Sequence, residues 1–292
     1  MSVVAENISD QETGITDDVR WNLLQRKAAE VRALKAFEIF REHGIEPVLI
    51  KGLAAAQYYP ITKLRQSVDM DLAFSSADSD AATALVRSGA MAGLAIDTHR
   101  ELRHLDLVDW DDLFANTRLL EFDGGNIRVL RPEDHLRVLA VHWLTDGGAN
   151  KDRLWDIFYM IDGRGTDFDW DRFLNVEPHR RRWLTCAAGL ASRYLGLDLS
   201  GTPIEEEARD IPDWVIKTVE SEWASETKLQ PLEVSLGSFG EFAAQIKRRL
   251  NPNPIWSTVV MNGSFDAKTR FFYHIGTAFS RIMPSYRRIT GK

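Results

Sequence analysis

The sequence contains a single cysteine, Cys186, among its 292 residues. One cysteine cannot form an internal disulfide, and it cannot supply the several thiolates of a cysteine-based zinc site. Nine tryptophans and fourteen phenylalanines supply ample apolar material for a packed core instead. The composition, 44% hydrophobic and 27% charged, is typical of an ordinary globular protein.

Several catalytic sequence motifs are also missing. The chain has no G-x-S-x-G motif, no G-x-x-x-x-G-K-[ST] phosphate loop and no G-x-G-x-x-G dinucleotide motif. No pattern of the Ser/His/Asp type is present. These absences narrow the enzyme classes more than any single motif that is present.

Basic residues are outnumbered, with 36 Lys and Arg against 43 Asp and Glu, which gives a net charge of −7. We therefore expect no general nucleic-acid binding, because that function needs an excess of positive charge. No uninterrupted apolar stretch is long enough to span a bilayer. The polar, acidic first 18 residues lack the basic and apolar regions of a signal peptide. We expect a cytoplasmic protein with no membrane span.

The periodicity of apolar residues predicts a mixed α/β region first. Residues 1–16 have no periodicity and are expected to be disordered. A helix is predicted over 17–43, with an apolar face formed by Trp21, Leu24, Ala28, Val31, Leu34, Phe37 and Phe40. Strands are predicted over 46–50, 64–74 and within 100–108, with a hairpin over 118–130. Helices are predicted over 52–59, 81–88 and 132–143.

The strand pattern fades in the second half of the chain. Five further helical segments are predicted, over 151–163, 169–175, 179–195, 212–225 and 238–250. Together these patterns predict an α/β (α+β) fold, in which an α/β domain over 17–148 with a small mixed sheet is followed by a helical domain over 149–292.

The stretch VLIKGLAAAQYYPITKLRQSVDMDLAF, residues 48–74, carries the main functional pattern. Asp69 and Asp71 alternate with apolar residues at its end. Side chains of a strand alternate between faces, so both carboxylates are predicted to point the same way. Two carboxylates side by side are tolerable when solvated or when a cation lies between them. Such a pair can hold one or two Mg²⁺ ions, although a D-x-D pattern also occurs by chance on solvated strands.

A third acid and a nearby cation extend this pattern. Asp106 lies in an alternating run within the strand predicted over 100–108, and three carboxylates on neighbouring strands can build a two-metal site in which the third also acts as a base. Arg65 precedes Asp69 by four residues and would share its strand face, where it would contact phosphate or form a structural ion pair with one of the acids. His99 and His104 are left without an assigned role.

The order of these motifs resembles a family of bacterial proteins called uncharacterised nucleotidyltransferases, within the superfamily that includes DNA polymerase β. The resemblance covers about residues 20–165. It is carried by the segments Leu49-Ile50-Lys51-Gly52, Tyr58-Tyr59-Pro60, Arg65 followed by Asp69-Met70-Asp71-Leu72, His104-Leu105-Asp106-Leu107, Gly124-Gly125, Leu130-Arg131-Pro132-Glu133-Asp134-His135-Leu136, His142-Trp143 and Arg153-Leu154-Trp155-Asp156-Ile157.

The resemblance implies a polymerase β-like core with metal-bound Asp69 and Asp71, and with Asp106 as the third carboxylate. It also implies that Lys51 and Gly52 occupy the place of the superfamily's glycine-rich phosphate loop. The chain has one glycine here where the superfamily has Gly-Gly or Gly-Ser, and a lysine can compensate as a point charge on phosphate. Arg65 completes the expected nucleotide-binding set.

The expected activity is transfer of a nucleoside monophosphate from an NTP, such as ATP, to an acceptor with release of pyrophosphate, using Mg²⁺ or Mn²⁺. The acceptor is a small molecule, a peptide or a protein. Two alternatives stay open: a non-catalytic nucleotide-binding or regulatory protein on the same fold, and a phosphotransferase. The sequence indicates neither the preferred base nor the oligomeric state.

Overall fold

The structure, a computed structural model, describes residues 16–65, 69–225 and 252–277, together with Ser238 and Gly240. The chain divides into two compact units. The first comprises Met1–Glu101 and Thr117–Val129, and the second comprises Leu102–Asn116 and Leu130–Lys292. This division passes between residues 129 and 130, whereas the sequence predicts a domain boundary between 148 and 149. The expectation of disorder over 1–16 falls almost wholly outside the described residues.

The first unit is built around a five-stranded mixed sheet. In chain order its elements are α1 (Asp17–Glu42), β1 (Val48–Leu49), α2 (Leu53–Ala56), β2 (Met70–Phe74), α3 (Ser79–Arg87), β3 (Ile96–Arg100), β4 (Arg118–Phe122) and β5 (Gly125–Val129). The strand order is β3-β2-β1-β5-β4. Strand β2 runs antiparallel to β1 and parallel to β3, and β5 runs parallel to β1 and antiparallel to β4. The small mixed sheet predicted from the sequence is confirmed.

Helix α1 covers one face of this sheet with its C-terminal half. Phe37 and Phe40 are fully buried and belong to one core with Leu72, Phe74 and Ile127. The ring centroids of Phe40 and Phe74 lie 4.9 Å apart. These contacts anchor α1 against β2, the strand that carries Asp71.

The strand predicted within 100–108 is wrong. Strand β3 ends at Arg100, and Arg103–Leu105 forms a 3₁₀ turn instead. The amide N–H of Leu105 donates to the carbonyl of Leu102 at 2.9 Å, and that of Val108 donates to Leu105 at 2.9 Å. These local hydrogen bonds satisfy backbone groups that a strand would pair with a neighbour.

The second unit is helical. Its elements are α4 (Trp110–Ala115), α5 (Pro132–Thr145), α6 (Leu154–Asp162), α7 (Trp170–Leu174), α8 (Pro178–Leu195), α9 (Glu205–Arg209), α10 (Asp213–Ala224) and α11 (Pro254–Val260), with 3₁₀ turns at Arg103–Leu105 and Lys151–Arg153. Helices α5, α8 and α11 all begin with proline, whose fixed φ suits the first helical position and whose missing N–H is not needed there.

The centre of this unit is α8, whose middle residues are all buried. Gly189 of α8 lies so close to α9 that a Cβ atom would stand 2.1 Å from the carbonyl oxygen of Ala208. Only glycine permits this approach of the two backbones. The predicted helical character is confirmed for the described part of this unit, while the helix predicted over 238–250 lies almost entirely outside it.

In the described part of the chain, no helix combines the length and the apolar character that crossing a bilayer requires.

Candidate metal centre

Two acidic residues lie abreast on neighbouring parallel strands of the first unit. The register of β2 and β3 pairs Asp71 with Asp97, and His99 lies two residues further along β3. Residues i and i+2 of a strand share a face, so Asp97 and His99 project to the same side of the sheet. The pairing therefore brings two carboxylates and one imidazole together.

The side chains of this cluster are in close contact. The Nε2 atom of His99 lies 3.0 Å from Oδ1 of Asp71 and 3.4 Å from Oδ2 of Asp97. One potential ligand atom from each of the three residues lies within 4.8 Å of the others. Among the described residues this is the one group of three or more His, Cys, Asp and Glu side chains close enough to share a metal ion.

A lysine from β1's end also contacts this cluster. The Nζ atom of Lys51 donates to Oδ1 of Asp71 at 2.8 Å. The antiparallel pairing of β1 and β2 explains this contact, because the amide of Ile50 donates to the carbonyl of Asp71 at 3.1 Å and Lys51 follows directly. Lys51 and His99 thus both contact the same carboxylate oxygen.

The environment of Asp71 favours its ionised form. Only 6% of the residue is exposed. Burial alone would raise the pKa of Asp71, but hydrogen bonds from His99 and Lys51, with the positive charges of those groups, outweigh it and hold the pKa well below its usual range. Asp97 differs, since 60% of its side chain is exposed. The cluster therefore combines a buried, charged carboxylate with a solvent-accessible one.

The turn after Lys51 depends on a glycine. Gly52 has φ +61° and ψ −120°, a conformation that residues with a Cβ atom rarely adopt. It lets the chain leave β1 and enter α2 at once. Gly52 and Asp69 both line a small pocket of the first unit, which also includes Arg32 of α1.

The other predicted site residues of this unit occupy less regular positions. Asp69 is exposed and directly precedes β2, and it is not part of the close group formed by Asp71, Asp97 and His99. Arg65 is buried, and residues 66–68 between it and Asp69 lie outside the described part. The strand predicted over 64–74 begins only at Met70, so Arg65 and Asp69 lie outside it and the prediction that they share a strand face with Asp71 is wrong. Their roles in the site stay predictions.

Asp106 lies in the second unit, at the end of the 3₁₀ turn Arg103–Leu105. Its carboxylate forms a bidentate pair with Arg180 of α8, with Oδ1 2.5 Å from Nη1 and Oδ2 3.2 Å from Nη2. The argument that placed Asp106 on a strand next to the D-x-D pair is thus wrong. Its role as the third metal carboxylate stays a prediction without that support.

Sequence reasoning missed Asp97 and left His99 without a role. The signal was present in Ile96-Asp97-Thr98-His99, where two metal-ligating side chains alternate with Ile96 and Thr98. The strand was predicted within 100–108 instead, because Leu105 and Leu107 are more strongly apolar than Ile96 and Thr98 taken together with their polar neighbours. Of the two, only the segment 96–100 pairs with β2.

The donor set of the cluster suits a divalent cation. Carboxylate oxygens suit Mg²⁺ and Mn²⁺, and an imidazole nitrogen is a ligand that divalent transition metals accept. A histidine ligates a metal only through a ring nitrogen that carries no proton. The Nε2 atom of His99 lies beside the ionised carboxylate of Asp71, which accepts hydrogen bonds, so in this contact Nε2 is the donor. The structure therefore fits two arrangements: His99 as a ligand, or His99 as a donor that orients Asp71.

Comparison with known proteins gives one match. The model of a family described as uncharacterised nucleotidyltransferase matches residues 7–196. None of the curated proteins matches the chain. No solved structure matches it either. The matched range contains both the carboxylate cluster and the first helices of the second unit.

Proposed function

Because the chain belongs to the family of uncharacterised nucleotidyltransferases, we propose that it transfers a nucleoside monophosphate from an NTP to an acceptor and releases pyrophosphate, at the carboxylate cluster of β2 and β3. One observation carries the proposal: Asp71 and Asp97 lie abreast on parallel strands, with Lys51 and His99 on the buried carboxylate. Acidic strand pairs of this kind suit a metal that binds a triphosphate.

Asp71 and Asp97 are the proposed metal ligands, with Asp69 as a further one from the same strand region and His99 as a ligand or orienting donor. A divalent ion held there would neutralise phosphate oxygens and orient the nucleotide for in-line displacement. This assignment gives Asp97 the part of third carboxylate that the sequence suggested for Asp106. Positioning and charge neutralisation account for most of the catalysis in such reactions.

Asp97 is also the proposed general base. Its carboxylate, on a side chain that is 60% exposed, would accept the proton of an acceptor hydroxyl. The acceptor oxygen then forms a bond to the α-phosphorus, and the bond from that phosphorus to the bridging oxygen of pyrophosphate breaks. The electron pair of the broken bond leaves with pyrophosphate, so charges and atoms balance.

Lys51 is the proposed phosphate-binding cation. Its ammonium group neutralises Asp71 in the structure and lies at the glycine turn, close to the carboxylates that would hold the metal. Asp71 would also be neutralised by a divalent ion held at the cluster, and Lys51 would then bind a triphosphate oxygen. Gly52 and Arg65 remain proposed members of the nucleotide site.

The test is metal-dependent nucleotide binding, measured as thermal stabilisation with ATP, GTP, CTP and UTP in Mn²⁺, in Mg²⁺ and in EDTA. At a nucleotide concentration of 100 times Kd, binding adds about 2.7 kcal/mol, which raises Tm by a few degrees. We expect this shift with at least one NTP plus metal, and we expect Asp71→Asn to lose it. Asp123→Asn, in the β4–β5 turn, is the matched control and should keep it. Absence of metal-dependent stabilisation by all four nucleotides would contradict the proposal.

A non-catalytic nucleotide-binding protein is the second candidate, and the ion pair of Lys51 with Asp71 favours it because that pair already neutralises the buried carboxylate. Nucleotide labelled at the α- or γ-phosphorus separates the candidates. Label transferred from the α-position, with pyrophosphate release, supports nucleotidyl transfer. Label transferred from the γ-position indicates a phosphotransferase, and stabilisation by an NTP without pyrophosphate release supports the binding protein.

A further inference from the structure

The second unit contains a cavity of about 240 Å³. It lies among α5, α8, α11 and the 3₁₀ turn that precedes Asp106. One part of its lining is apolar and consists of Val141, Val176, Trp183, Leu184, Val259 and Val260. The rest is polar and consists of His104, Asp106, Arg137, Thr145, Arg180 and Asn262. All twelve residues belong to the second unit.

Among the residues that line this cavity, Arg137 has an incomplete set of hydrogen bonds. It is 2% exposed, and its Nη2 donates to the backbone carbonyls of Arg172 and Phe173. Its Nε and Nη1 atoms are buried and have no hydrogen-bond partner within the described part of the chain. A buried guanidinium that lacks partners for two of its nitrogen atoms costs free energy, because water no longer solvates them.

Asp134, the acid whose charge acts on Arg137, already forms hydrogen bonds with Arg172. Both oxygens of Asp134 accept hydrogen bonds from Arg172, at 2.8 to 3.1 Å. Burial lowers the pKa of Arg137, Asp134 acts in the opposite direction, and the positive charges of Arg172 and Arg180 lower it further. Arg137 thus lies in a region where additional negative charge would be favourable.

The second cation of the cavity is neutralised within the protein. Arg180 forms its bidentate pair with Asp106, and its Nε donates to Oδ1 of Asn262 at 2.9 Å. The charges of Arg180 and Asp106 cancel each other. Of the arginines and acids that line the cavity, Arg137 therefore supplies one uncompensated positive charge. An anion that enters the cavity would therefore meet a net positive wall.

We propose that this cavity binds a small organic anion, with an oxyanion head at the guanidinium end of Arg137 and an apolar body against the valines and Leu184. A carboxylate or a phosphate matches the adjacent donors of a guanidinium, which bind such groups in a bidentate manner. Cavities for drug-sized ligands measure about 300–1,000 Å³, so the volume here favours a smaller molecule. This site is separate from the carboxylate cluster and goes beyond the proposed nucleotidyl transfer.

The test is calorimetric titration of the full chain in EDTA, without nucleotide, using three probes: 3-methylbutanoate, inorganic phosphate and the neutral 3-methylbutanamide. Omission of metal and nucleotide makes the result independent of the carboxylate cluster. We expect saturable one-to-one binding of at least one anion, and about tenfold or weaker binding of the amide, because it lacks the charge-assisted hydrogen bonds. Tighter binding of 3-methylbutanoate identifies a carboxylate ligand, and tighter binding of phosphate identifies a phosphorylated one.

Two variants locate the site. Arg137→Met removes the guanidinium, and Val176→Trp introduces a large side chain from a half-buried position in the apolar part of the lining. Each is expected to weaken anion binding about tenfold or more. Arg181→Gln is the matched control: Arg181 pairs with Glu207 and does not line the cavity, so its variant should bind as the unmodified chain does. If Arg137→Met fails to fold, Val176→Trp decides the question.

Three results would overturn the proposal: no saturable binding of either anion to the unmodified chain, equal affinities for the acid and the amide, or unchanged anion binding in a folded Val176→Trp or Arg137→Met protein. Failure here would leave metal-dependent NTP stabilisation untouched, since that experiment reports on the other unit.

Discussion

At the scale of single residues, the central feature is the Oδ1 atom of Asp71. It contacts Nζ of Lys51 at 2.8 Å and Nε2 of His99 at 3.0 Å. A buried carboxylate is costly unless charged or hydrogen-bonding groups compensate it. Lys51 and His99 provide this compensation through their contacts with Oδ1.

Lys51→Met tests this compensation through pH. The pKa of Asp71 is depressed in the folded chain, so its contribution to stability is present above the unfolded pKa of about 3.9 and is lost as pH falls towards the folded pKa. Loss of Lys51 should lower the free energy of unfolding by about 1–3 kcal/mol at neutral pH. The difference between the two proteins should then shrink below about pH 4, as measured by urea unfolding.

Lys27→Met is the control for that experiment. Lys27 pairs with Glu30 at 3.1 Å on the surface of α1, and its side chain is half exposed. Surface pairs contribute about 0–1 kcal/mol, so this variant should show a small effect. A Lys51→Met difference that is equally small, or that grows as pH falls, would contradict the account.

The sequence identified one part of this site by local alternation and missed the other for a physical reason. Asp71 stands in a short polar–apolar repeat with Asp69, and that local alternation points to Asp71 although β2 begins only at Met70, after Asp69. Asp97 joins Asp71 only through the pairing of two strands separated by helix α3. Which segment pairs with β2 depends on packing across the sheet, and single-sequence alternation does not contain that information.

At the scale of secondary-structure elements, the 3₁₀ turn that follows β3 shows where a local sequence pattern predicts the wrong structure. On a strand Leu105 and Leu107 would share one buried face, but Leu105 is buried and Leu107 is 50% exposed. The backbone N–H and carbonyl of Leu105 take part in local 3₁₀ hydrogen bonds instead. The β4–β5 hairpin was predictable, because Gly124 and Gly125 both adopt positive φ in its turn.

Helix α1 was predicted with nearly its observed bounds, but not with its observed face. Phe37 and Phe40 are buried as expected, whereas Trp21, Leu24 and Val31 are more than half exposed. The sequence pattern runs along the whole helix, while the sheet that buries it contacts only the C-terminal half. Helix length follows from local spacing, and burial follows from what packs against the helix.

Truncation of apolar residues on α1 should separate the two halves. Phe40→Ala is expected to lower the free energy of unfolding by about 3–5 kcal/mol, because it opens a cavity against Phe74. Leu24→Ala, at a position that is 63% exposed, should change it by no more than about 0.5 kcal/mol. Chemical unfolding of both variants measures this, and a large loss in Leu24→Ala would show that the N-terminal half of α1 is covered in solution.

At the scale of the whole molecule, the two units have distinct chemistry. The first unit carries an acidic cluster with Lys51 as its contacting lysine. Among the described residues of the second unit, several arginines form ion pairs with acids: Arg172 with Asp134, Arg180 with Asp106 and Arg181 with Glu207. The run His179-Arg180-Arg181-Arg182-Trp183, which the charge pattern alone would suggest as a basic surface, is largely a set of structural ion pairs.

This neutralisation predicts weak binding to nucleic acids. With a net charge of −7, the chain should bind generic RNA or duplex DNA no more tightly than Kd values of about 10⁻⁴ M at 150 mM salt. Fluorescence anisotropy with labelled oligonucleotides measures this, and a salt titration provides the control for electrostatic contacts. Micromolar or tighter binding at that salt concentration, with a steep salt dependence, would contradict it.

The central claim is that Asp71 and Asp97, rather than Asp106, complete the metal site. The most direct measurement is Mn²⁺ affinity by electron paramagnetic resonance in Asp97→Asn, Asp106→Asn and Asp123→Asn. Asp97→Asn should bind Mn²⁺ about 10- to 100-fold more weakly, because it removes a proposed ligand. Asp106→Asn and Asp123→Asn should stay within about twofold of the unmodified chain, since charges outside the ligand set act through a screened field. Unchanged affinity in Asp97→Asn, or an equal loss in Asp106→Asn, would contradict the account.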